Sequence, residues 1–562
     1  MMREKFYIKY SYLLLIFPVF ICLLIVKSVI ESNFTPERVL YTYLILYFIG
    51  ILITNKKIRF IYISLIYSIS LVLTYIELCY SLLYHERVTA STIFILLETN
   101  HAESYEYLSE YLNIKVIIGF LILLIFSFYT LKGVKILIYN YSNKEIFNAI
   151  KNDFSKLVNN RITNKITDYY KRIKQHKKKI LLFNFILISV SLFIYIKESH
   201  YKQHLSFQLF DGYNKYQAES TKFKSAIQKK SKNLNVLSNN TNQKEIFVLI
   251  IGESTTKTHF KLYGYERQTT PNLTKIKDEI VVFNDVISPH THTIASLEKM
   301  LTLGDYEHAD KKYSGNVIDI MSQANFKTYW ISNQIPIGIY ETQTTAIAKT
   351  ANEVYFLNLG GEKEQLSYDE KVLPYVRKIL QNNEKKKFIV VHLLGTHVQY
   401  KNRYPKKYNV FSDNPKTDYW SDQAKETINQ YDNAVLYNDY VVSEIISEVK
   451  KLNKEEATVL YLSDHGEEVY ETLDMAGHSE AISSKPMYLI PFVYWNSDFE
   501  KVKKYQAYKE RKYMADDLIF SITDLLDVNF DGYEPKRSIF SKDFIDRKRI
   551  IKGVKDFDHI FN

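Results

Sequence analysis

Hydrophobic positions are spread unevenly along the chain. Five apolar blocks come first, at about Tyr10–Ile30, Val39–Thr54, Phe60–Tyr84, Val116–Leu137 and Ile180–Ile196. Each approaches the ~20 residues that a helix needs to cross a hydrocarbon core, the second being short. Five such blocks so close together predict a multi-pass helical membrane domain over residues 1–197 and not buried helices of a soluble protein. No small-residue cleavage site follows the first block, so it reads as a span and not as a removed signal peptide. From Glu198 to Lys244 the chain turns polar, which predicts one or two bridging helices and a flexible linker near Ser238–Gln243. From Glu245 onward, apolar runs suited to strands alternate with helical patterns. The runs are Ile246–Ile251, Val281–Val286, Lys327–Ile331, Phe388–Leu393, Thr458–Leu462 and Tyr488–Tyr494, and a helical pattern covers Lys425–Lys450. That rhythm predicts an α/β domain with a mostly parallel sheet over residues 245–562.

Charge orients the membrane part. Arg3, Lys5 and Lys9 precede the first block, Lys56, Lys57 and Arg59 separate the second from the third, and Lys171, Arg172, Lys174, Lys177, Lys178 and Lys179 precede the fifth. The loop after the third block instead carries Glu86, Glu98, Glu103, Glu106 and Glu110. Lys and Arg gather on the cytoplasmic side, so the N-terminus is expected in the cytoplasm, and five spans put the C-terminal domain outside. The net charge of +11 is accounted for by those loops. No nucleic-acid motif accompanies it, and the aromatic residues are spread as in cores and interface belts, so a nucleic-acid partner is not expected. The two cysteines, Cys22 and Cys79, both lie in apolar blocks, which excludes disulfides and Cys metal sites from the rest of the chain.

Three stretches place reactive groups at predicted strand ends, the edge where open α/β sheets bind ligands. The run Ile246–Ile251 ends in Gly252-Glu253-Ser254, offering a carboxylate as a hard metal ligand. The run Leu460-Tyr461-Leu462 delivers Ser463-Asp464-His465-Gly466-Glu467, an acid and an imidazole side by side. Between them, Ser288-Pro289-His290-Thr291-His292-Thr293 leads into a helical pattern on Ile294, Leu297, Met300 and Leu301. A hydroxyl at a helix N-terminus gains from the dipole and free amides, but on residue type alone Thr293 reads first as an N-cap. Thr291 competes with Thr293 for any chemical role. His290 and His292 could bind metal or simply be solvated.

The first strand continues into Leu262-Tyr263-Gly264-Tyr265-Glu266-Arg267-Gln268-Thr269-Thr270-Pro271. With this segment and Ser463–Glu467, the chain resembles the phosphoethanolamine transferases of Gram-negative envelopes, members of the alkaline phosphatase/sulfatase superfamily. The resemblance implies a sulfatase-like periplasmic domain on an inner-membrane anchor. It favours Thr293 over Thr291 as nucleophile and metal ligand. Glu253, Thr293, Asp464 and His465 would complete one tight tetrahedral site. That donor set suits Zn2+ better than Mn2+ or Mg2+, with a second metal left open. Asn333, His397 and His478 take substrate-binding roles by the same resemblance, His397 standing where the family has a phosphate-binding or second-metal histidine. So does Glu103, in the stretch Glu98-Thr99-Asn100-His101-Ala102-Glu103, although Ile95 departs from the family pattern just before it. The missing periplasmic disulfides are a second departure.

The expected reaction moves phosphoethanolamine from phosphatidylethanolamine to lipid A or lipopolysaccharide core. A glycerol-phosphate transferase of the lipoteichoic acid type is the nearest rival, and the Leu262–Pro271 segment speaks against it. A formylglycine sulfatase would need a Cys or Ser to be converted, and the soluble part has no Cys. An inactive envelope scaffold is opposed by four intact ligand positions.

Overall fold

The computed structural model describes residues 2–30, 34–84, 87–89, 92–93, 96–97, 114–140, 197, 200–228, 234–238, 244–335, 342–358, 366–452, 456–480 and 482–561. The described residues fall into two compact units, one within Met1–Phe94 and Ser109–Tyr216, the other within Ile95–Leu108 and Gln217–Asn562.

In the first unit, four of the five apolar blocks are helices: α1 (Met2–Val29), α2 (Pro36–Leu52), α3 (Lys56–Tyr84) and α4 (Ile114–Asn140). The stretches Lys56–Leu83 and Val116–Tyr139 are long and apolar enough to cross a membrane, while Leu14–Val29 is apolar but shorter. The fifth block, 180–196, and Glu103 lie outside the described residues. Leu15, Val19, Leu23, Val26, Tyr67 and Val134 form a core between the helices. Ile117, Leu121, Ile125 and Phe128 of α4 stay exposed, as a lipid-facing surface requires. Inside this core, phenols find hydroxyl partners: Tyr47 with Ser70 at 2.8 Å and Tyr67 with Ser127 at 3.2 Å. Helix α5 (Leu205–Gln228) lies in the polar stretch and runs past the boundary at Tyr216. Most of the expected linker, 239–243, is not among the described residues.

The second unit is a three-layer α/β/α sandwich. Its seven-stranded sheet consists of β1 (Glu245–Gly252), β2 (Ile280–Val282), β3 (Lys327–Ser332), β4 (Glu353–Phe356), β5 (Lys386–His392), β6 (Glu456–Ser463) and β7 (Phe492–Asn496), in the spatial order β2-β7-β6-β1-β5-β3-β4. Strand β7 alone runs opposite to the other six. The unbroken apolar run of β1 follows from this placement, because a central parallel strand is covered on both faces. Phe247, Leu249 and Ile251 enter one core, together with Leu297, Met300 and Leu301 of α6 (Thr293–Leu301). Ile246, Val248 and Ile250 enter the other, together with Tyr431, Val435, Val442 and Ile445 of α7 (Asp422–Lys450). Truncating one of these buried β1 side chains, Ile250→Ala for example, would cost roughly 2–5 kcal/mol.

Two strand expectations shift and one strand was not expected. The run Val281–Val286 divides, because Phe283 N bonds to Phe492 O while Asn284 N bonds to Lys509 O, and Asp285–Ile287 then pairs with Lys512–Met514 outside the main sheet. The run Tyr488–Tyr494 becomes a strand only at Phe492, after Pro491, which has no N–H to donate to a ladder. The half-buried edge strand β4 escaped the pattern because it is only four residues long.

Candidate active site

Strand register brings the reactive groups together. Gly252 of β1 lies opposite Ser463 of β6, and Ile251 lies opposite His392 of β5 on the other side. The residues that follow each strand, Glu253, Asp464-His465 and the loop Leu393–His397, therefore emerge at one edge. Asp464 N bonds to Gly252 O at 3.1 Å, and Thr396 N to Glu253 O at 3.0 Å. Two glycines allow this crowding. A Cβ on Gly466 would meet Pro486 O at 2.1 Å, and one on Gly395, which has φ +56°, would meet Glu253 N and O at 2.7 Å.

Glu253, Asp464 and His465 form a fully buried cluster. Glu253 accepts hydrogen bonds from Ser254 Oγ at 2.8 Å and Gln334 Nε2 at 3.1 Å, and Thr293 Oγ1 lies 3.1 Å from each carboxylate oxygen. Asp464 Oδ1 takes the amides of Ser254 at 3.1 Å and His465 at 2.7 Å. His465 donates through Nδ1 to Gly466 O at 2.7 Å, which turns Nε2 towards Glu253 at 3.3 Å and Asp464 at 3.6 Å. A backbone carbonyl on one imidazole nitrogen is the usual way a ligating histidine is oriented.

Asp464 Oδ2 and His465 Nε2 are buried and have no hydrogen-bond partner among the described residues. Burial and the charge of Glu253 push Asp464 up to about 8. Burial would raise Glu253 as well, but its contacts with His465 carry it below the usual carboxylate range. Two buried carboxylates facing an orphaned imidazole nitrogen are short of positive charge. Oxygen and nitrogen donors converging there, with Thr293 Oγ1 at the side, fit a zinc ion.

Thr293 is the first residue of α6, and the first intrahelical bond is donated by Ser296 N to His292 O at 3.2 Å. The amides of Thr293, Ile294 and Ala295 therefore have no partner within the helix. Thr291, the competing residue, is fully buried; its hydroxyl has no partner among the described residues and its amide bonds to Glu480 at 3.0 Å.

The other expected positions are placed less uniformly. His397, half-buried, lies near enough for its charge to act on Glu253. His478 lies beside His465, the rings tilted by 57° with centroids 4.3 Å apart, and its Nδ1 is 2.7 Å from Glu467 Oε2. Glu467, fully buried, also accepts from Tyr400 OH at 2.6 Å. Asn333 is not brought to the cluster. It is buried, its amide nitrogen bonds to Asp369 at 2.9 Å and its carbonyl accepts from Ser367 at 2.7 Å. Asp369 in turn binds the amides of Leu394 and Gly395, both at 2.8 Å, so Asn333 supports the loop that carries His397. Its neighbour Gln334 is the residue that reaches Glu253. The strand end after Ile331 marked this stretch, but nothing in the sequence separated Gln334 from Asn333. Glu467 could have been found from its place after Asp464-His465-Gly466.

The segment Leu262–Pro271 does not line the cluster. Asp432 of α7 receives His259 Nδ1 at 2.6 Å, Tyr265 OH at 3.0 Å and Arg267 Nη1 at 2.7 Å. Burial would depress His259, yet Asp432 overcomes it and raises the imidazole to about 10. Thr269 and Thr270 hydroxyls cap the amides of Lys261 and Leu262 at 3.1 and 2.9 Å. Pro271 opens a helical turn whose amides at Asn272 and Leu273 bond to Asp439 at 2.8 and 2.9 Å. The segment clamps the stretch after β1 to α7.

Comparison with known proteins agrees with this architecture. Residues 245–528 match the sulfatase family model. The chain is 30% identical to phosphoethanolamine transferase EptC of Escherichia coli K12 over 504 residues, 84% of this chain and 81% of that one. The crystal structure of the C-terminal periplasmic domain of EptC from Escherichia coli, in complex with Zn, superposes with a TM-score of 0.56 at 34% identity. The match covers 58% of this chain and 97% of that one. The integral membrane protein lipooligosaccharide phosphoethanolamine transferase A of Neisseria meningitidis shares the fold over 95% of this chain and 97% of its own, with a TM-score of 0.59 at 20% identity. With a sulfatase-like domain following an N-terminal membrane region, the chain belongs to the phosphoethanolamine transferases of the alkaline phosphatase/sulfatase superfamily.

Proposed function

We propose that the chain transfers phosphoethanolamine from phosphatidylethanolamine, through a covalent adduct on Thr293, to lipid A or the lipopolysaccharide core. One observation carries the reading: the Thr293 hydroxyl, at the start of α6, lies 3.1 Å from both oxygens of Glu253 in the buried Glu–Asp–His cluster. The membership of the chain in its family supplies the transferred group.

Glu253, Thr293, Asp464 and His465 would hold one Zn2+ tightly. When bound, zinc lowers the pKa of a coordinated hydroxyl and polarises a phosphoryl oxygen. Thr293 Oγ1 attacks phosphorus, the bond from phosphorus to the glycerol oxygen breaks, and diacylglycerol leaves with a proton. An acceptor oxygen then attacks the same phosphorus, and Thr293 departs with the proton that the acceptor gives up. The free amides at the start of α6 stabilise the non-bridging oxygens in both steps. His478, fixed through Nδ1 by Glu467, offers Nε2 to the substrate, and His397 approaches from the loop beside Glu253. Gln334 holds the Glu253 carboxylate, Asn333 and Asp369 hold the His397 loop, and Glu103 is assigned to the donor-lipid side. Residues 1–197 form the inner-membrane domain with its N-terminus in the cytoplasm, 198–244 the bridge, and 245–562 the periplasmic catalytic domain. An added amine lowers the negative charge of the outer surface and so weakens attraction of cationic peptides.

The test is to incubate the detergent-purified chain with phosphatidylethanolamine or phosphatidylglycerol and map adducts by peptide mass spectrometry, with and without a chelator. Phosphoethanolamine on Thr293, lost with the chelator, is the expected result. Glycerol phosphate on Thr293 would place the chain with the lipoteichoic acid enzymes. No adduct from either lipid on folded, metal-loaded protein would leave a hydrolase or a scaffold.

A further inference from the structure

Beside the cluster just described, a second group of metal-ligating side chains converges from two separate segments. His290 and His292 come from the loop before α6, and Glu480 comes from the stretch after His478. One donor atom from each lies within 4.8 Å of the others. His290 Nδ1 is 2.8 Å from Glu480 Oε1, and the two imidazole centroids are 5.7 Å apart. The loop that presents the histidines is tied down: His290 O accepts from Ser288 Oγ at 2.7 Å and from Ser296 Oγ at 3.0 Å. Glu480 is anchored by the Thr291 amide at 3.0 Å. The carboxylate and His290 remain partly open, with side chains 24% and 20% exposed, so an ion from solvent can reach them.

His292 is the informative member. It occupies the N-cap of α6, where Ser, Thr, Asp or Asn would accept a bond from the first turn. Its side chain makes no capping bond. Neither ring nitrogen has a hydrogen-bond partner among the described residues, although the ring sits next to a histidine already paired with a carboxylate. A neutral imidazole can act as a ligand once a nitrogen lone pair is free. None of the transfer steps assigned above uses His290, His292 or Glu480.

We infer that His290, His292 and Glu480 form a second transition-metal site, selective for Zn2+-class ions. Two imidazoles and one carboxylate with a position left open are a set found in zinc enzymes. In a tetrahedral site with bonds of about 2.05 Å, donor atoms stand roughly 3.3 Å apart. The His290–Glu480 pair therefore opens by about half an ångström as the ion takes the place of the shared proton. This site is separate from the Glu253–Asp464–His465 cluster, since it shares no ligand with it, and it does not depend on the identity of the donor lipid.

Metal content of the full-length protein in detergent tests the inference. After Zn2+ loading and dialysis against metal-free buffer, the wild type is expected to hold two equivalents. Both the H290Q/E480Q and the E253Q/D464N variants should hold one. In E253Q/D464N loaded with Co2+ instead, the ligand-field absorption reports the second site alone, and adding H290Q/E480Q should abolish it. Far-UV circular dichroism and the single E480Q variant, nearly isosteric with wild type, separate lost ligands from lost fold. One equivalent in the wild type would overturn the inference. So would two equivalents persisting in H290Q/E480Q, or a second equivalent that disappears in H478A but not in H290Q/E480Q. The last result would move the ion to His465, Glu467 and His478.

Discussion

Gly395→Ala isolates the contribution of backbone fit to the site, because Gly395 has no side chain that could take part in chemistry. Its φ is +56°, where an L-residue pays about 1–2 kcal/mol. Its absent Cβ would stand 2.7 Å from both the amide nitrogen and the carbonyl oxygen of Glu253, against an ordinary van der Waals contact of 3.4 Å or more. Relief requires a relative movement of at least 0.7 Å between the His397 loop and the first residue after β1. The loop cannot simply back away: Asp369 holds the amides of Leu394 and Gly395, and Thr396 N is bonded to Glu253 O. Part of the movement therefore falls on the Glu253 carboxylate, which Thr293 contacts. Misplacing a catalytic constellation by about 1 Å commonly costs around 10²-fold in rate. If the proposed transfer holds, we expect its rate to fall by roughly that factor in G395A, with the melting temperature only modestly lower and the fold intact by circular dichroism. Wild-type turnover with a full complement of zinc would refute the claim that this contact sets the position of Glu253.

Thr293→Ala should leave no lipid-derived adduct at any residue while retaining secondary structure, read by peptide mass spectrometry; an adduct surviving in T293A would return Thr291 to contention. Gln334→Ala removes the bond to Glu253 Oε2, a supporting contact of the kind worth 10–100-fold in metal affinity, and competition against a graded chelator should show a loss in that range. His259 gives a pH prediction. Its pKa is raised from 6.5 to about 10 by Asp432, so the folded state binds the extra proton and the stabilisation is fully present below pH 6.5. As pH rises through about 10 that contribution disappears, so the melting temperature should decline across this window, and H259Q should flatten the decline. A wild-type slope retained in H259Q would assign it to other groups.

How much of this was legible in the sequence depended on whether a residue's role was local. Central strands β1, β5 and β6 were readable because burial on both faces demands unbroken apolar runs, and their ends placed Glu253, Asp464 and His465 correctly as neighbours. The choice between Thr291 and Thr293 could not be made from residue type, because both hydroxyls precede the same helix. The structure distinguishes them by position: Thr293, and not Thr291, hydrogen-bonds to Glu253. Asn333 and Gln334 illustrate the same limit: adjacent residues at a strand end point opposite ways, and only tertiary packing shows that Gln334 meets the cluster while Asn333 meets Asp369. The division of Val281–Val286 was likewise invisible, since each half has strand character and only the identity of the partner changes.

The segment that made the family recognisable, Leu262–Pro271, touches none of the candidate metal ligands, and physical reasoning explains why it is nevertheless so characteristic. A reactive carboxylate at a strand end has to be held against a chain that leaves the sheet at once, and Ser254 already sits at φ +55°. Tyr431 fastens that turn by donating to Ser254 O and accepting from Thr256 N, both at 2.9 Å. The next residue of α7, Asp432, is wholly buried and would be a costly charge if left alone. His259, Tyr265 and Arg267 supply its three donors from one side, and the amide-capping threonines and Pro271 set the turn that delivers them. Each member is thus constrained by a different partner, so the segment tolerates little change of residue type. Lysine at position 267 would keep the charge but lose the fixed guanidinium, whose Nη1 bonds Asp432 at 2.7 Å and Asn429 at 2.8 Å while Nη2 reaches Asp413. Such a substitution should loosen the turn after β1, and with it Glu253, without altering any atom of the chemistry. A motif can in this way diagnose an active site by building the frame around it.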